Sequence, residues 1–255
     1  MTDARLLQLR DVTVRFGGLV AVDSVSFSVN SGEICALIGP NGAGKTTLFN
    51  AVSGNVVADS GSILFRGEEI RQLTPHEISA RGARRTFQNG GLFPDLTALE
   101  NVLVGLHAQV ASGFIGLLFG NRSAAAEAAA TRRARELLEL MGVGAMADQK
   151  AGALSGGQQR IVEIVRALAT NPPLLLLDEP AVGLAPQARQ QLAAIIRTLA
   201  RERGIGILLI EHAIELVMSV ADRVIVLNDG RKVADAPPEQ VRADRAVLEA
   251  YLGHV

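Results

Sequence analysis

Glu33-Ile34-Cys35-Ala36-Leu37-Ile38 runs into Gly39-Pro40-Asn41-Gly42-Ala43-Gly44-Lys45-Thr46, and then into Thr47-Leu48-Phe49-Asn50-Ala51-Val52. The first piece is a continuous apolar run, the pattern of a strand buried on both faces of a parallel sheet. The second matches G-x-x-x-x-G-K-[ST] in full, and the third reads as a helix. Strand, glycine turn and helix in that order form a cradle for a polyphosphate. The glycines let successive N–H groups point inward, and the helix N-terminus adds partial positive charge. Lys45 is expected on the β- and γ-phosphates and the Thr46 hydroxyl on Mg²⁺. The candidate phosphate site comprises Gly39, Asn41, Gly42, Ala43, Gly44, Lys45, Thr46 and Thr47.

Working outward, Leu174 to Leu177 and Ile205 to Ile210 are two more buried-strand runs, with a helical pattern over Gln187 to Arg203 between them. Strands alternating with helices imply an α/β core with a parallel sheet. Ahead of the loop, Val12 to Phe16 and Val25 to Val29 alternate apolar and polar residues, as half-exposed antiparallel strands do. The middle, roughly Leu96 to Ala169, carries no strand pattern. Ala124 to Met141 reads as helix, and Ile161, Ile164, Val165 and Leu168 share one face of another. A helical subdomain therefore interrupts the core. The expected divisions are residues 1–95 (β subdomain and first part of the core), 96–169 (helical subdomain), 170–236 (second part of the core) and 237–255 (helical tail). Val241, Leu248 and Tyr251 predict one short amphipathic helix over Glu239 to Gly253.

Leu174-Leu175-Leu176-Leu177-Asp178-Glu179 ends a buried run in two acids. Packing alone does not favour this, because burying charge without a partner is costly. Asp178 at the strand end can hold Mg²⁺ through water, and Glu179 can act as general base on a water. The plain alternative is a strand leaving the core into solvent. Leu154-Ser155-Gly156-Gly157-Gln158-Gln159-Arg160 precedes the Ile161 helix. Ser155 there is either a simple N-cap or part of a second anion-ready helix N-terminus.

Composition excludes several classes. Apolar residues make up 48% of the 255 and charged ones 20%, too apolar for a disordered chain. Basic residues number 25 against 26 acidic, so no overall positive field exists to hold nucleic acid, and no nucleic-acid partner is expected. The one cysteine, Cys35, permits no intramolecular disulfide and suits a reducing compartment. No signal peptide is read after Met1-Thr2-Asp3-Ala4-Arg5. Asn101 to Asn121 lacks formal charge but is broken by His107, Gln109, Ser112 and four glycines. It reads as a helix, a turn and an apolar insertion over residues 111–120, not as a membrane span.

The Lys45 loop, the Ser155 segment and the Asp178-Glu179 strand, in this order, resemble an ATP-binding cassette, the nucleotide-binding subunit of ABC transporters. The likeness covers essentially the whole chain. It implies an α/β fold: a P-loop NTPase core with an N-terminal antiparallel β subdomain and an inserted α-helical subdomain. It also implies ATP and Mg²⁺, and a head-to-tail dimer with a second cassette, the same or homologous. Ser155, Gly156, Gly157 and Gln158 would then meet the partner's γ-phosphate. Gln88, in Thr86-Phe87-Gln88, would sense Mg²⁺ and the membrane subunit. His212 would contact the γ-phosphate, and Phe16 would stack on adenine. One position departs from the family: Ala185 stands where many cassettes carry Asp.

Within that family, Arg85-Thr86-Phe87-Gln88-Asn89, Glu100-Asn101-Val102 and Ala250-Tyr251-Leu252-Gly253 resemble the LivG-type subunit of branched-chain amino-acid importers. This implies a peripheral ATPase on the cytoplasmic face of the plasma (inner) membrane. Transmembrane permease subunits would dock on the helical subdomain around Leu92, Phe93 and Pro94. Alternatives are a related system for urea, amide or lipopolysaccharide transport, or a soluble non-transport ATPase of the superfamily.

Overall fold

The computed structural model describes residues 5–86, 91–110 and 124–252. In chain order come β1 (Arg5–Phe16), β2 (Leu19–Asn30), β3 (Ile34–Ile38), α1 (Lys45–Val52), β4 (Ser60–Phe65), β5 (Glu68–Glu69), α2 (Pro75–Ala80) and β6 (Ala83–Arg85). Then follow α3 (Ala98–Val110), α4 (Ala124–Leu140), α5 (Gly156–Leu168), β7 (Leu174–Asp178), α6 (Pro186–Arg203) and β8 (Gly206–Ile210). Last come α7 (Ile214–Val220), β9 (Arg223–Asn228), β10 (Arg231–Ala236), α8 (Pro238–Ala243) and α9 (Arg245–Leu252). The chain forms two compact units: Met1–Arg85 with Pro173–Val182 and Ala193–Val255, and Thr86–Pro172 with Gly183–Leu192. The sequence predicts the first division at residue 95; in the structure the first segment ends at Arg85.

The first unit holds two sheets. One is antiparallel, with order β2-β1-β4-β5. The other has order β10-β9-β3-β8-β7-β6 and is parallel except at β10, which pairs antiparallel with β9. Both predicted hydrophobic patterns are present. β3, β7 and β8 are buried at every position. Along β3, Cys35 and Leu37 join a core with Phe49 of α1 and Leu7, Val14 and Phe65 of the antiparallel sheet. Ala36 and Ile38 join a second core with Val217, Val241 and Val247. A strand covered on both faces has no polar face to alternate, which is why its sequence is a solid apolar run.

Arg223 ties the first unit together. Its Nε donates to Glu33 Oε1 at 2.8 Å, its Nη1 to Asp235 Oδ1 at 2.9 Å and its Nη2 to the Ser28 carbonyl. One guanidinium thus joins β2, β9, β10 and the turn before β3, using the fork that makes arginine suited to several acceptors at once.

The C-terminal tail corrects the expectation of one helix. It is two, separated at Asp244, whose backbone is extended (ψ 123°) and whose Oδ1 accepts the Ala246 N–H at 2.8 Å. The break resets the helical phase. Val241 and Val247 are buried, while Leu248 and Tyr251 are 49% and 42% exposed.

The second unit is helical, as the absence of strand patterning in the middle of the chain predicts, with one isolated bridge, Thr97 to Lys150. Ile161, Ile164, Val165 and Leu168 are all buried. Gly105 of α3 is needed for close helix approach: a Cβ there would lie 2.6 Å from the Arg166 carbonyl of α5. Among the described residues no helix is long and apolar enough to cross a membrane. The apolar insertion at 111–120 lies outside the described residues.

Arg223→Met leaves Glu33 and Asp235 without this partner and should cost about 3 kcal/mol. Thermal unfolding should show the melting temperature falling by about 5–10 °C.

Candidate functional site

The site begins where β3 ends. Gly39, Gly42 and Gly44 have φ of 151°, 84° and 92°, and α1 starts at Lys45. These glycines serve different needs. A Cβ on Gly39 would sit 2.2 Å from the Leu227 carbonyl oxygen of β9, and one on Gly44 would sit 2.3 Å from the Ala21 carbonyl oxygen of β2. The loop therefore rests backbone to backbone on its neighbours. At Gly42 an added Cβ would meet nothing within 4 Å, so that position needs glycine for its backbone angle alone.

Residues 41–47 line one side of a cavity of about 490 Å³. Lys45 is buried, and its Nζ donates to the Gly39 carbonyl at 2.7 Å and the Pro40 carbonyl at 2.8 Å. Burial lowers the pKa of this ammonium, and the charge of Glu179 opposes that shift. Thr46 is exposed in the first turn of α1. Phe16 lies at the cavity with 51% of its surface exposed, beside Leu19 and Val20 across the Gly17-Gly18 hairpin.

Glu179 and His212 also line the cavity. β7 and β8 are parallel and in register, Asp178 opposite Ile210, so the residues following the two strands emerge together. Glu179 has φ 46°, a left-handed conformation uncommon for a side chain of its size. Its N–H donates to the Ile210 carbonyl at 2.9 Å, and its Oε1 is 2.9 Å from His212 Nε2. Asp178 is fully buried, and its Oδ2 accepts from Arg85 Nη2 at 2.6 Å. Arg85 Nη1 also donates to Asn50 Oδ1 (2.7 Å) and Ser53 Oγ (2.8 Å), and the guanidinium lies 4.9 Å from the centre of the Phe49 ring.

The structure thus gathers Phe16, Asn41, Gly42, Ala43, Gly44, Lys45, Thr46, Thr47, Glu179 and His212 around one cavity, with Gly39 packed against β9. Ser155, Gly156, Gly157 and Gln158 belong to the second unit, at the start of α5. There Ser155 is an N-cap in a capping box: its N–H donates to Gln158 Oε1 at 2.8 Å and its Oγ accepts the Gln158 N–H. A Cβ on Gly156 would meet nothing within 4 Å. Gln88 lies outside the described residues. The sequence reading missed Arg85, which no spacing marks, and Asp229-Gly230, which also line the cavity. The latter carry the Asp-Gly signal of a hairpin between apolar runs.

The Thr46 hydroxyl and the Asp178 carboxylate are hard oxygen donors. Among the described residues no group of three His, Cys, Asp or Glu side chains could hold a metal by itself. These donor types suit Mg²⁺, which is held by one or two carboxylates together with phosphate oxygens and water: Thr46 lines the cavity, while Asp178 is buried with its Oδ2 on Arg85 and suits contact through water.

The two kinds of glycine separate experimentally. Gly42→Ala should lose about 1–2 kcal/mol from its backbone angle. Gly44→Ala should lose more than about 4 kcal/mol, because its Cβ must displace β2 or the loop. Denaturant unfolding of both variants checks the order.

Comparison with known proteins identifies the family. Residues 22–182 match the family model described as ABC transporter, and residues 231–255 match one described as branched-chain amino acid ATP-binding cassette transporter. The chain is 43% identical over 249 residues to the high-affinity branched-chain amino acid transport ATP-binding protein BraF of Pseudomonas aeruginosa, covering 97% of this chain and 98% of that one. Among solved structures, the ADP conformation of MJ1267, an ATP-binding cassette of an ABC transporter, superposes with a TM-score of 0.86 at 34% identity, covering 99% and 100% of the two chains. The dimeric structure of MJ0796, a bacterial ABC transporter cassette, does so with a TM-score of 0.75 at 29% identity, covering 91% and 98%. A phosphate loop set on the end of a buried parallel strand is here the loop of an ATP-binding cassette, and the chain belongs to the ABC transporter family.

Proposed function

We propose that the chain hydrolyses ATP to drive import of branched-chain amino acids through separate transmembrane subunits, as a peripheral subunit on the cytoplasmic face of the plasma membrane. The observation that carries the substrate class is the likeness to BraF along nearly the whole of both chains, with the C-terminal match at residues 231–255.

In the chemical step the chain acts chiefly by positioning and charge. Lys45 exchanges its bonds to the Gly39 and Pro40 carbonyls for oxygens of the β- and γ-phosphates. The N–H groups of the loop and of the first turn of α1 would hold the remaining phosphate charge, except that of Ala43, which donates to the Pro40 carbonyl at 3.2 Å. Thr46 would hold Mg²⁺ directly and Asp178 through water, and the ion would supply positive charge against the phosphates. Glu179 takes a proton from the water whose oxygen bonds to the γ-phosphorus as the bond to the β-phosphate oxygen breaks, leaving ADP and phosphate. His212, 2.9 Å from Glu179, orients that carboxylate and reaches the γ-phosphate. Phe16 offers an exposed aromatic face to adenine.

The exposed start of α5 supports a head-to-tail dimer. Ser155, Gly156, Gly157 and Gln158 of one chain then meet the γ-phosphate held by the other, as two helix N-termini for one phosphate would require. Gln88 keeps its assignment to Mg²⁺ and to the membrane subunit on the sequence alone. Ala185 has no side-chain acceptor to offer across such an interface.

The segment Leu92-Phe93-Pro94 is our choice for the permease contact. Phe93 is 50% exposed, yet its backbone is fixed from both sides. Its N–H donates to Asn101 Oδ1 at 2.8 Å, and Asn101 Nδ2 donates to its carbonyl at 3.0 Å and to that of Thr97 at 2.9 Å. A buried asparagine thus holds a solvent-facing aromatic ring in a set place, as an interface anchor requires.

Three variants test this reading. Glu179→Gln should bind ATP as tightly as the unaltered chain by calorimetry, while hydrolysis falls by about 10²–10⁴-fold. Lys45→Ala should lose ATP binding itself, and unchanged affinity would remove the phosphate-loop assignment. Phe93→Ala should keep its melting temperature and nucleotide affinity but lose co-purification with the permease from detergent and uptake of labelled leucine. Retained co-purification and uptake would take Phe93 out of the interface.

A further inference from the structure

Glu211 precedes His212 and is buried, with 2% of its surface exposed. It lines no part of the cavity's described wall, yet both of its oxygens are engaged. Oε1 accepts the Ala181 N–H at 2.7 Å, from the loop that follows β7. Oε2 accepts the His212 N–H at 2.8 Å and the Ala213 N–H at 3.0 Å, from the loop that follows β8. One carboxylate therefore fastens the segment that carries Glu179 to the segment that carries His212. The strands beneath cannot do this alone. Their register ends at Asp178 opposite Ile210, and beyond it the one backbone bond from Glu179 N–H to the Ile210 carbonyl continues the pairing. Glu179 is also held at a positive φ, a conformation that persists only where its surroundings over-determine it.

We infer that Glu211 is a positioning residue for hydrolysis: by bridging Ala181 to His212 and Ala213 it sets the 2.9 Å approach of His212 to Glu179. This rests on the reading of Glu179 and His212 given above, and adds a residue that acts through them without meeting the nucleotide. Its chemistry suits the task. Three backbone N–H groups, the Ala181 one buried and the His212 and Ala213 ones part-buried, converge on one point, and only a carboxylate presents two equivalent oxygens for them. Glutamine keeps the shape but turns an NH₂ group toward one of the two loops. Aspartate keeps the charge but is a methylene too short to reach both.

The test is a kinetic cycle on the full chain. Glu211→Gln should keep its melting temperature within about 3 °C and its KM for ATP within about twofold, while kcat falls by about tenfold to a hundredfold, as a small misplacement near the chemistry does. Because Glu211 acts through His212, the double variant Glu211→Gln/His212→Ala should be no slower than His212→Ala alone, within about twofold. A purely structural role predicts instead that the two losses multiply, or that KM and melting temperature move with kcat, and either result overturns the proposal. Should Glu211→Gln not fold, Glu211→Asp should show the same pattern. If neither folds, Glu211 is a structural residue and the proposal fails. Failure of the underlying reading is distinguishable: it would appear as full hydrolysis by Glu179→Gln. An inactive Glu179→Gln beside an unaltered kcat in Glu211→Gln removes Glu211 alone.

Discussion

The approach of one backbone to another at Gly39 and Gly44 is the constraint on which the site depends. With no Cβ, the loop after β3 can lie against the Leu227 carbonyl of β9 on one side and the Ala21 carbonyl of β2 on the other. That contact places the start of α1 over the junction between the parallel and antiparallel sheets of the first unit. It leaves the side of the loop at Gly42 open, where an added Cβ would meet nothing. Any larger residue at Gly39 or Gly44 would force the loop and the strand beside it apart.

The opposite wall follows from a second regularity. β7 and β8 are parallel, adjacent and buried at all positions, so they end level with each other. Strands that end level deliver their following residues to the same place. This brings Glu179 and His212 to hydrogen-bond distance although they are 33 positions apart. Hydrogen-bond partners make the buried acidic charge of Asp178 and Glu211 tolerable. Asp178 accepts from a guanidinium that is itself anchored by Asn50 and Ser53, and Glu211 is saturated by backbone N–H groups. Buried carboxylates without such partners would cost several kcal/mol each.

The second unit uses the same economy in another form. Asn101 is buried, and its amide satisfies the backbone of a loop that otherwise lacks regular structure. The result is an exposed ring, Phe93, on a rigid support. Ser155 and Gln158 close the start of α5 reciprocally, which accounts for two of its orphan N–H donors. The N-cap reading of Ser155 is therefore correct for the single chain, and it coexists with the proposed role toward a second one.

What the sequence by itself determined is whatever rests on local pattern. Solid apolar runs marked β3, β7 and β8, because a strand covered on both faces shows no polar alternation. The glycine spacing before Lys45 marked the phosphate loop, because backbone angles and close approach exclude other residues. It did not reveal β9 and β10, although Val224 to Leu227 is an apolar run ahead of an Asp-Gly turn. It misjudged the tail, because a helical spacing carries across Asp244 on paper while the capping bond to Ala246 restarts the helix with a new phase. Only the tertiary structure decided the partners of Asp178 and Glu211. Arg85 is 93 positions from Asp178 and Ala181 is 30 from Glu211. Contacts of that kind depend on strand order and register, which no window of sequence contains.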